Sequence, residues 1–154
     1  MRIDKFTTKF QQALADAQSL AIGSDQQFIE PQHLLLALIN QDDGGTTSLL
    51  ARAGVNVPGL KRDLEQALTR LPKVEGHGGD VSIGRDLGNL LNLTDKEAQK
   101  RGDQFIASEM FLLALGEDKG EAGRLAKQHG LSRKALEAAI MAVRGGQGVD
   151  SQEA

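Results

Sequence analysis

Residues 27–38 are QFIEPQHLLLAL, and residues 104–115 are QFIASEMFLLAL. The two stretches are identical at seven of twelve positions without a gap. The same 77-residue offset pairs Leu14 with Leu91, and with one deletion the match continues until Leu64 pairs with Ile140. A self-match through most of both halves indicates that the chain contains two copies of one structural unit.

Each copy is predicted to contain four helices, because apolar residues recur at helical spacing through both. The run HLLLALI at 33–39 is apolar on nearly every side, which is typical of a helix buried among others. Pro31 suits the first position of that helix, and Gly23 suits the C-terminus of the helix before it. Ser108 and Ser132 are predicted N-caps in the second copy. We therefore predict an all-α fold of two pseudo-symmetric four-helix repeats.

The repeats are predicted to lie at about residues 4–72 and 83–144, within one domain of residues 1–145. Between them runs LPKVEGHGGDVSIG at 71–84, whose Pro and Gly content predicts a loop. Residues 146–154, GQGVDSQEA, are Gly-rich and polar. This composition predicts the start of a flexible linker.

Composition narrows the class of function. The net charge is −3 without a basic block, and all aromatic residues are Phe, so nucleic-acid binding is not expected. Cysteine is absent, which excludes disulfides and thiolate chemistry. No apolar run has the length of a signal peptide or a membrane span, and we predict a cytoplasmic protein without a membrane partner.

Catalytic motifs are also missing. The glycine cluster GEDKGEAG at 116–123 lacks the Lys-Ser/Thr pair of a phosphate loop. The three histidines do not have metal-ligand spacing: His33 aligns with Met110 and is interpreted as structural, His77 as solvated, and His129 as a helix C-terminal residue. We therefore predict a binding module rather than an enzyme, with no cofactor and no metal in this chain.

One region of the second repeat departs from the first. Leu93 lies off the apolar stripe of its helix, and its counterpart is Asp16. Nearby, Asp103 and Glu109 replace neutral glutamines of the first repeat. The residues leave two interpretations open, a binding surface or neutral drift.

The chain resembles the N-terminal domain of ClpB-type disaggregases, a branch of the Clp ATPase chaperone family. The resemblance covers essentially the whole chain, and a duplicated four-helix unit is a hallmark of that family. Its carriers are MRIDKFTTKF at 1–10, RLPKVEGHGGDV at 70–81, NLTDKEAQKRGDQFIASE at 92–109 and RGG at 144–146.

The resemblance implies that the full-length protein is a hexameric, ring-forming ATPase of the stress response, with a coiled coil, ATP and magnesium. It would pull polypeptides out of aggregates together with the DnaK chaperone system. This fragment, expected to be a monomer, would bind unfolded or aggregated polypeptide in a shallow apolar groove and pass it to the ring. The alternative is a docking module for a folded adaptor protein, as in ClpA and ClpC.

The resemblance also implies the residues of the groove. Its polar contacts would be Thr7, Asp103 and Glu109. Its apolar lining would be Leu91, Leu93 and Met110.

Overall fold

The computed structural model describes residues 2–74 and 80–154, so His77, which was predicted to be solvated, lies outside the described residues. Within these ranges a short 3-10 helix (Ile3–Lys5) precedes eight α-helices. The first repeat contains α1 (Thr8–Gly23), α2 (Pro31–Asn40), α3 (Thr46–Arg52) and α4 (Val57–Thr69). The second contains α5 (Arg85–Lys100), α6 (Ser108–Leu115), α7 (Glu121–Gln128) and α8 (Arg133–Arg144). The predicted all-α fold of two four-helix repeats is confirmed.

Helix α2 lies at the centre of the molecule. Every residue from Pro31 to Ile39 is buried, as the apolar run predicted. The helix packs against α1 and α4 of its own repeat and against α5 and α7 of the other. Its counterpart α6 is buried from Met110 to Leu115 and packs against α5, α7 and α8. The two repeats therefore share one continuous core.

Two short parallel pairings, which the sequence did not predict, join the repeats. Strand β1 (Phe28–Ile29) pairs with β2 (Ser82–Ile83), so that Ile29 lies opposite Ile83. A single bridge joins Phe6 to Ile106. Phe6 and Ile83 are 77 residues apart in the sequence, as are Ile29 and Ile106. The second pairing is thus the symmetric copy of the first, and each repeat leads into its buried helix through a contact with the other.

The helix ends can be compared with the boundaries and caps that the sequence predicted. Pro31 begins α2, and the Ser132 hydroxyl accepts a hydrogen bond from the Ala135 N–H at 3.2 Å, as predicted. Gly23 is the last residue of α1, one position before the C-cap. The prediction that Ser108 caps α6 is wrong, because the N-cap is Ala107 and Ser108 is the first helical residue. The bridge at Ile106 fixes this register, and Ser108 occupies the position that Pro31 holds in the first repeat.

The C-terminal segment (residues 146–154) lies against the domain. A flexible linker would instead leave the domain without contacts. Gly145 and Gly146 have φ angles of 61° and 85°, in the left-handed region that glycine adopts without strain. They turn the chain back after α8. Val149 is then 7% exposed, and its carbonyl accepts a hydrogen bond from the Gln104 N–H at 2.8 Å.

His129 links the repeats just after α7. Its Nε2 lies 2.7 Å from the Asp63 carboxylate of α4, and its carbonyl accepts from the Asn56 N–H at 2.8 Å. Gly130 follows with a φ of 107°, in the left-handed region that favours glycine after the end of a helix. His129 is therefore a helix-terminal residue with a structural contact to the other repeat.

His33 is a buried structural histidine, as its alignment with Met110 indicated. It is fully buried, and its Nδ1 accepts a hydrogen bond from the Glu30 N–H at 2.9 Å. Its Nε2 therefore carries the proton of the neutral ring and donates to Gln26 Oε1 at 2.6 Å. The Gln26 amide in turn donates to the Leu68 carbonyl at 2.6 Å. Burial lowers the pKa of His33 to about 4.

We expect His33 to make the free energy of unfolding depend on pH. The imidazole of the unfolded chain takes up a proton near 6.5, whereas the folded protein resists protonation down to about 4. The contribution of His33 is therefore complete above pH 6.5 and is lost as the pH falls towards 4. Urea unfolding at about pH 7.5 and about pH 5.5 should show a larger loss of stability for the parent chain than for His33→Gln.

Thr94→Ala is the control, since it removes a buried hydroxyl that donates to the Leu90 carbonyl and no ionisable group. It should lower stability while keeping the pH slope of the parent. Equal slopes for the parent and His33→Gln would contradict the assignment of His33 as a buried neutral group.

Candidate functional site

Three of the six predicted binding residues are buried. Leu91 and Met110 are fully buried members of the shared core. Thr7 is 2% exposed and is the N-cap of α1, where its hydroxyl accepts a hydrogen bond from the Phe10 N–H at 3.3 Å. In this conformation none of the three side chains offers surface to another molecule. Their roles in binding remain predictions.

Asp103 and Glu109 are brought together by Arg144, the last residue of α8. The Arg144 guanidinium donates to both carboxylate oxygens of Asp103, at 3.2 and 3.0 Å, and to Glu109 Oε1 at 2.8 Å. The Asp103 side chain has no exposed surface, and that of Arg144 is 12% exposed. Charge-assisted bonds of this kind engage both carboxylates within the protein, although one guanidinium balances only one of the two negative charges. They are not presented as free anions to a basic peptide.

Sequence reasoning missed Arg144, although a signal was present. The repeat counterpart of Arg144 is Leu68, so a positive charge appears in the second repeat together with the negative charges of Asp103 and Glu109. Charges of opposite sign that occur in one repeat, at positions where the other repeat is neutral, favour pairing among those charges. The sequence alone does not show which of them meet in space.

Leu93 is the exposed member of the predicted set, as its position off the apolar stripe indicated. It is 46% exposed, and it lines a groove of about 300 Å³ where the two repeats meet. We call this the Leu93 groove. Its lining includes Pro31, Gln32, Leu71, Leu90, Leu93, and residues 118–121, which lead into the first residue of α7. Its apolar lining consists of Pro31, Leu71, Leu90 and Leu93, and Asp103 and Glu109 are not among its lining residues.

Carboxylates line the rim of the Leu93 groove. Asp86 and Asp118 belong to it, and no ion-pair partner for either is found among residues 2–74 and 80–154. Glu121 is held by Arg124 and Arg70, whose hydrogen bonds lower its pKa. Burial, aided by the neighbouring Asp86 carboxylate, raises the pKa of Glu30. Lys119 also lines the groove, so its charged residues are four carboxylates and one ammonium. A partly apolar groove with a net negative charge can hold an apolar side chain that has basic neighbours.

A further charged cluster is structural. The Glu97 side chain is 7% exposed and accepts hydrogen bonds from Arg133 at 2.8 and 2.9 Å and from Arg101 at 2.7 Å. Arg133 lowers the pKa of Glu97, and the pair ties α5 to α8. Among the described residues no group of three or more His, Asp or Glu side chains could hold a metal ion. In the same part of the chain, no helix combines the length and apolar character that crossing a membrane requires.

We expect Asp103→Ala to destabilise the fold more than Glu109→Ala. The first change removes two of the hydrogen bonds of the nearly buried Arg144 guanidinium and the acceptor of the Val149 N–H, which lies 3.1 Å from Asp103 Oδ1. This should cost about 2 kcal/mol of unfolding free energy. Glu109 is 26% exposed, and its loss should cost about 1 kcal/mol or less.

Denaturant unfolding of both variants measures the difference, with Asp16→Ala on the exposed side of α1 as a control for the loss of a surface carboxylate. If Glu109→Ala lost as much stability as Asp103→Ala, the distinction between a buried and a partly exposed carboxylate would be wrong.

Comparisons with known proteins place the chain in a family. Residues 5–129 match the Clp repeat (R) N-terminal domain. The chain is 51% identical over 154 residues to the chaperone protein ClpB of Vibrio cholerae serotype O1, a match that covers 100% of the chain and 18% of that protein. The chain therefore spans less than a fifth of the length of this relative.

Solved structures with the same fold include the Hsp104 N-terminal domain of Candida albicans, with a TM-score of 0.83 and 24% identity over 97% of each chain. A ClpV N-domain in complex with a VipB peptide matches with a TM-score of 0.76 and 18% identity, covering 97% of this chain and 92% of the other. At these identities the structures establish the fold alone.

Proposed function

The chain belongs to the Clp repeat (R) N-terminal domain family, and we propose that it is the part of a disaggregase chaperone that binds unfolded or aggregated polypeptide. The whole protein would be a hexameric ring ATPase of the cytoplasm that uses ATP and magnesium and works with the DnaK system. The relationship to ClpB supports this proposal. The ATPase modules would lie outside these 154 residues, and the chain itself would bind polypeptide without catalysing a reaction.

The Leu93 groove is the observation that carries the proposal. An unfolded chain exposes apolar side chains that a folded protein hides, and exposed Leu93 beside Leu71 and Leu90 gives such side chains a place to pack. Asp86 and Asp118 at the rim favour segments with basic neighbours. The selected feature is a local pattern of apolar and basic residues rather than one fixed sequence.

Weak binding suits this role. The groove is shallow, and burying one side chain of the size of Leu contributes about 1.5–3 kcal/mol at most. A segment held in this way dissociates quickly and can be passed to the ring. The ClpV N-domain, whose structure contains a VipB peptide, has the same fold, which supports the view that such a fold can accommodate a peptide.

Docking of a folded adaptor is the second candidate, and a different surface favours it. Met141 and Val143 on α8 are 69% and 66% exposed. Beside them, Leu49, Ile140 and Val143 line a groove of about 270 Å³ between α3 and α8. A folded partner with a matching apolar face could bury both side chains at once.

We expect Leu93→Ser to weaken binding of unfolded polypeptide about fivefold. The change removes apolar contact area worth about 1 kcal/mol and should leave the melting temperature almost unchanged, because Leu93 is exposed in the free domain. Titration of the fluorescently labelled domain with a reduced and alkylated, permanently unfolded protein measures the affinity.

Ile22→Ser is the matched control, since Ile22 is a 40% exposed apolar residue of α1 outside the groove. It should bind like the parent. Met141→Ser tests the second candidate. If Leu93→Ser binds like the parent while Met141→Ser loses affinity for a natively folded partner, adaptor docking replaces the present proposal.

We expect Asp86→Asn to reduce the salt dependence of binding. Asp86 lies at the rim without an ion-pair partner among the described residues, so its attraction for basic segments is screened by added salt. The same titration with a Lys-flanked apolar peptide, at low and high ionic strength, should give a shallower slope for the variant. The Asp16→Asn control on α1 should keep the parent slope, and a slope unchanged by Asp86→Asn would remove the rim from the mechanism.

A further inference from the structure

In the C-terminal segment (residues 146–154), residues 147–150 lie against the domain without helix or turn, and residues 151–154 form a turn closed by a hydrogen bond from the Ala154 N–H to the Ser151 carbonyl. After Gly145 and Gly146 turn the chain, the Val149 N–H donates to Asp103 Oδ1 at 3.1 Å. The Val149 carbonyl accepts hydrogen bonds from the Gln104 N–H at 2.8 Å and the Phe105 N–H at 3.1 Å. Hydrogen bonds between backbones are the means by which proteins hold extended peptides of varied sequence.

The side-chain contacts of the segment favour a small residue followed by an apolar one. Val149 is 7% exposed and is the buried residue of the segment, yet it does not belong to the shared core cluster. Gly148 lies so close that a Cβ there would be 3.3 Å from Asp103 Oδ1. The slot therefore accepts a small residue followed by one of the size of valine.

The start of α1 forms the other end of the slot. The Thr8 N–H, which has no partner within its own helix, donates to the Gln152 carbonyl at 2.9 Å. The Gln152 amide reaches the Phe6 carbonyl at 3.3 Å, and the Thr8 hydroxyl donates to Glu153 Oε1 at 2.7 Å. A carboxylate at this position also suits the positive end of the helix dipole.

We propose that residues 103–106 and the start of α1 form a slot for an extended polypeptide, in which residues 147–153 are the chain's own occupant and compete with an incoming segment. The occupant is held at Val149 by backbone hydrogen bonds and one buried side chain, which another extended chain with a small and an apolar residue can reproduce. The side chains of Gln152 and Glu153 add hydrogen bonds that are particular to this segment. When the occupant leaves, Asp103 Oδ1 and the amides of Gln104 and Phe105 become available to the incoming backbone. The Asp103 carboxylate would then accept a hydrogen bond from the main chain of the substrate and would not contact basic side chains of the substrate.

The slot does not depend on the Leu93 groove. Only the identification of the incoming segment as unfolded protein rests on the proposed function. The two can therefore fail separately, and the experiment uses one probe for each.

The first measurement detects the occupant. Val149→Asp places a carboxylate against Asp103 and should release the segment, whereas Asp150→Ala changes an exposed neighbour and should not. Amide hydrogen exchange by NMR should show protection of Thr8, Gln104 and Phe105 in the parent and in Asp150→Ala, and loss of that protection in Val149→Asp. Protection that is absent in the parent, or unchanged in Val149→Asp, would overturn the proposal.

The second measurement fills the slot from outside. A synthetic peptide with the sequence GGQGVDSQEA of residues 145–154 is titrated into Val149→Asp and into the parent. It should shift the NMR signals of the Gln104 and Phe105 amides of the variant. Its affinity for the parent should be lower by about tenfold or more, because the parent's own segment is in place for most of the time. The same peptide with its valine changed to aspartate should bind neither. Equal binding to both chains, or none to the variant, would overturn the proposal.

The unfolded protein used above is the last probe. It should bind Val149→Asp more tightly than the parent. Leu93→Ser, introduced into the parent and into Val149→Asp, should lower the affinity of each by the same factor. If it binds neither chain, the proposed function fails while the synthetic peptide still decides the slot. If it binds both chains equally, the competition with substrate is overturned.

Discussion

A helix buried from Pro31 to Ile39 can be covered only by helices that approach it from several directions. α1, α3 and α4 supply part of that cover and α5 and α7 of the second repeat add to it, so the first repeat depends on the second for its own core. The two parallel pairings follow from the same requirement, because each leads one repeat into its buried helix along the backbone of the other. The duplication therefore produced a single domain rather than two domains in series.

One hydrogen-bonded contact occurs in both repeats, between residues at equivalent positions, but with different chemical groups. In the first repeat the Gln26 amide donates to the Leu68 carbonyl and its oxygen meets His33. In the second repeat the counterpart of Leu68 is Arg144, which donates to Asp103, the counterpart of Gln26. Donor and acceptor have exchanged sides while the connection is kept. The charges of the second repeat are thus a structural solution, and their appearance in the sequence does not by itself indicate a binding surface.

Periodicity predicted what depends on one helix at a time. It gave the buried α2, the all-α fold and the exposure of Leu93, because each follows from the face on which a residue lies. It could not predict that Asp103 is covered, since Arg144 and Val149 approach it from positions 41 and 46 residues away. The two-residue pairings leave no periodic signal either. Thr7 was carried over from a family pattern, and its burial reflects its place as a helix cap, where local geometry decides.

The accessible surface that remains divides recognition between two chemistries. The Leu93 groove offers apolar side chains, and the proposed slot offers two backbone donors and the Asp103 carboxylate as an acceptor. A domain that docks one folded adaptor needs neither property, because a fixed partner favours pockets matched to particular side chains. A domain that meets unfolded chains of every sequence needs both. The groove and the proposed slot, with the chain's own segment as the proposed competitor, therefore favour the proposed role in receiving and releasing unfolded polypeptide over stable attachment to one partner.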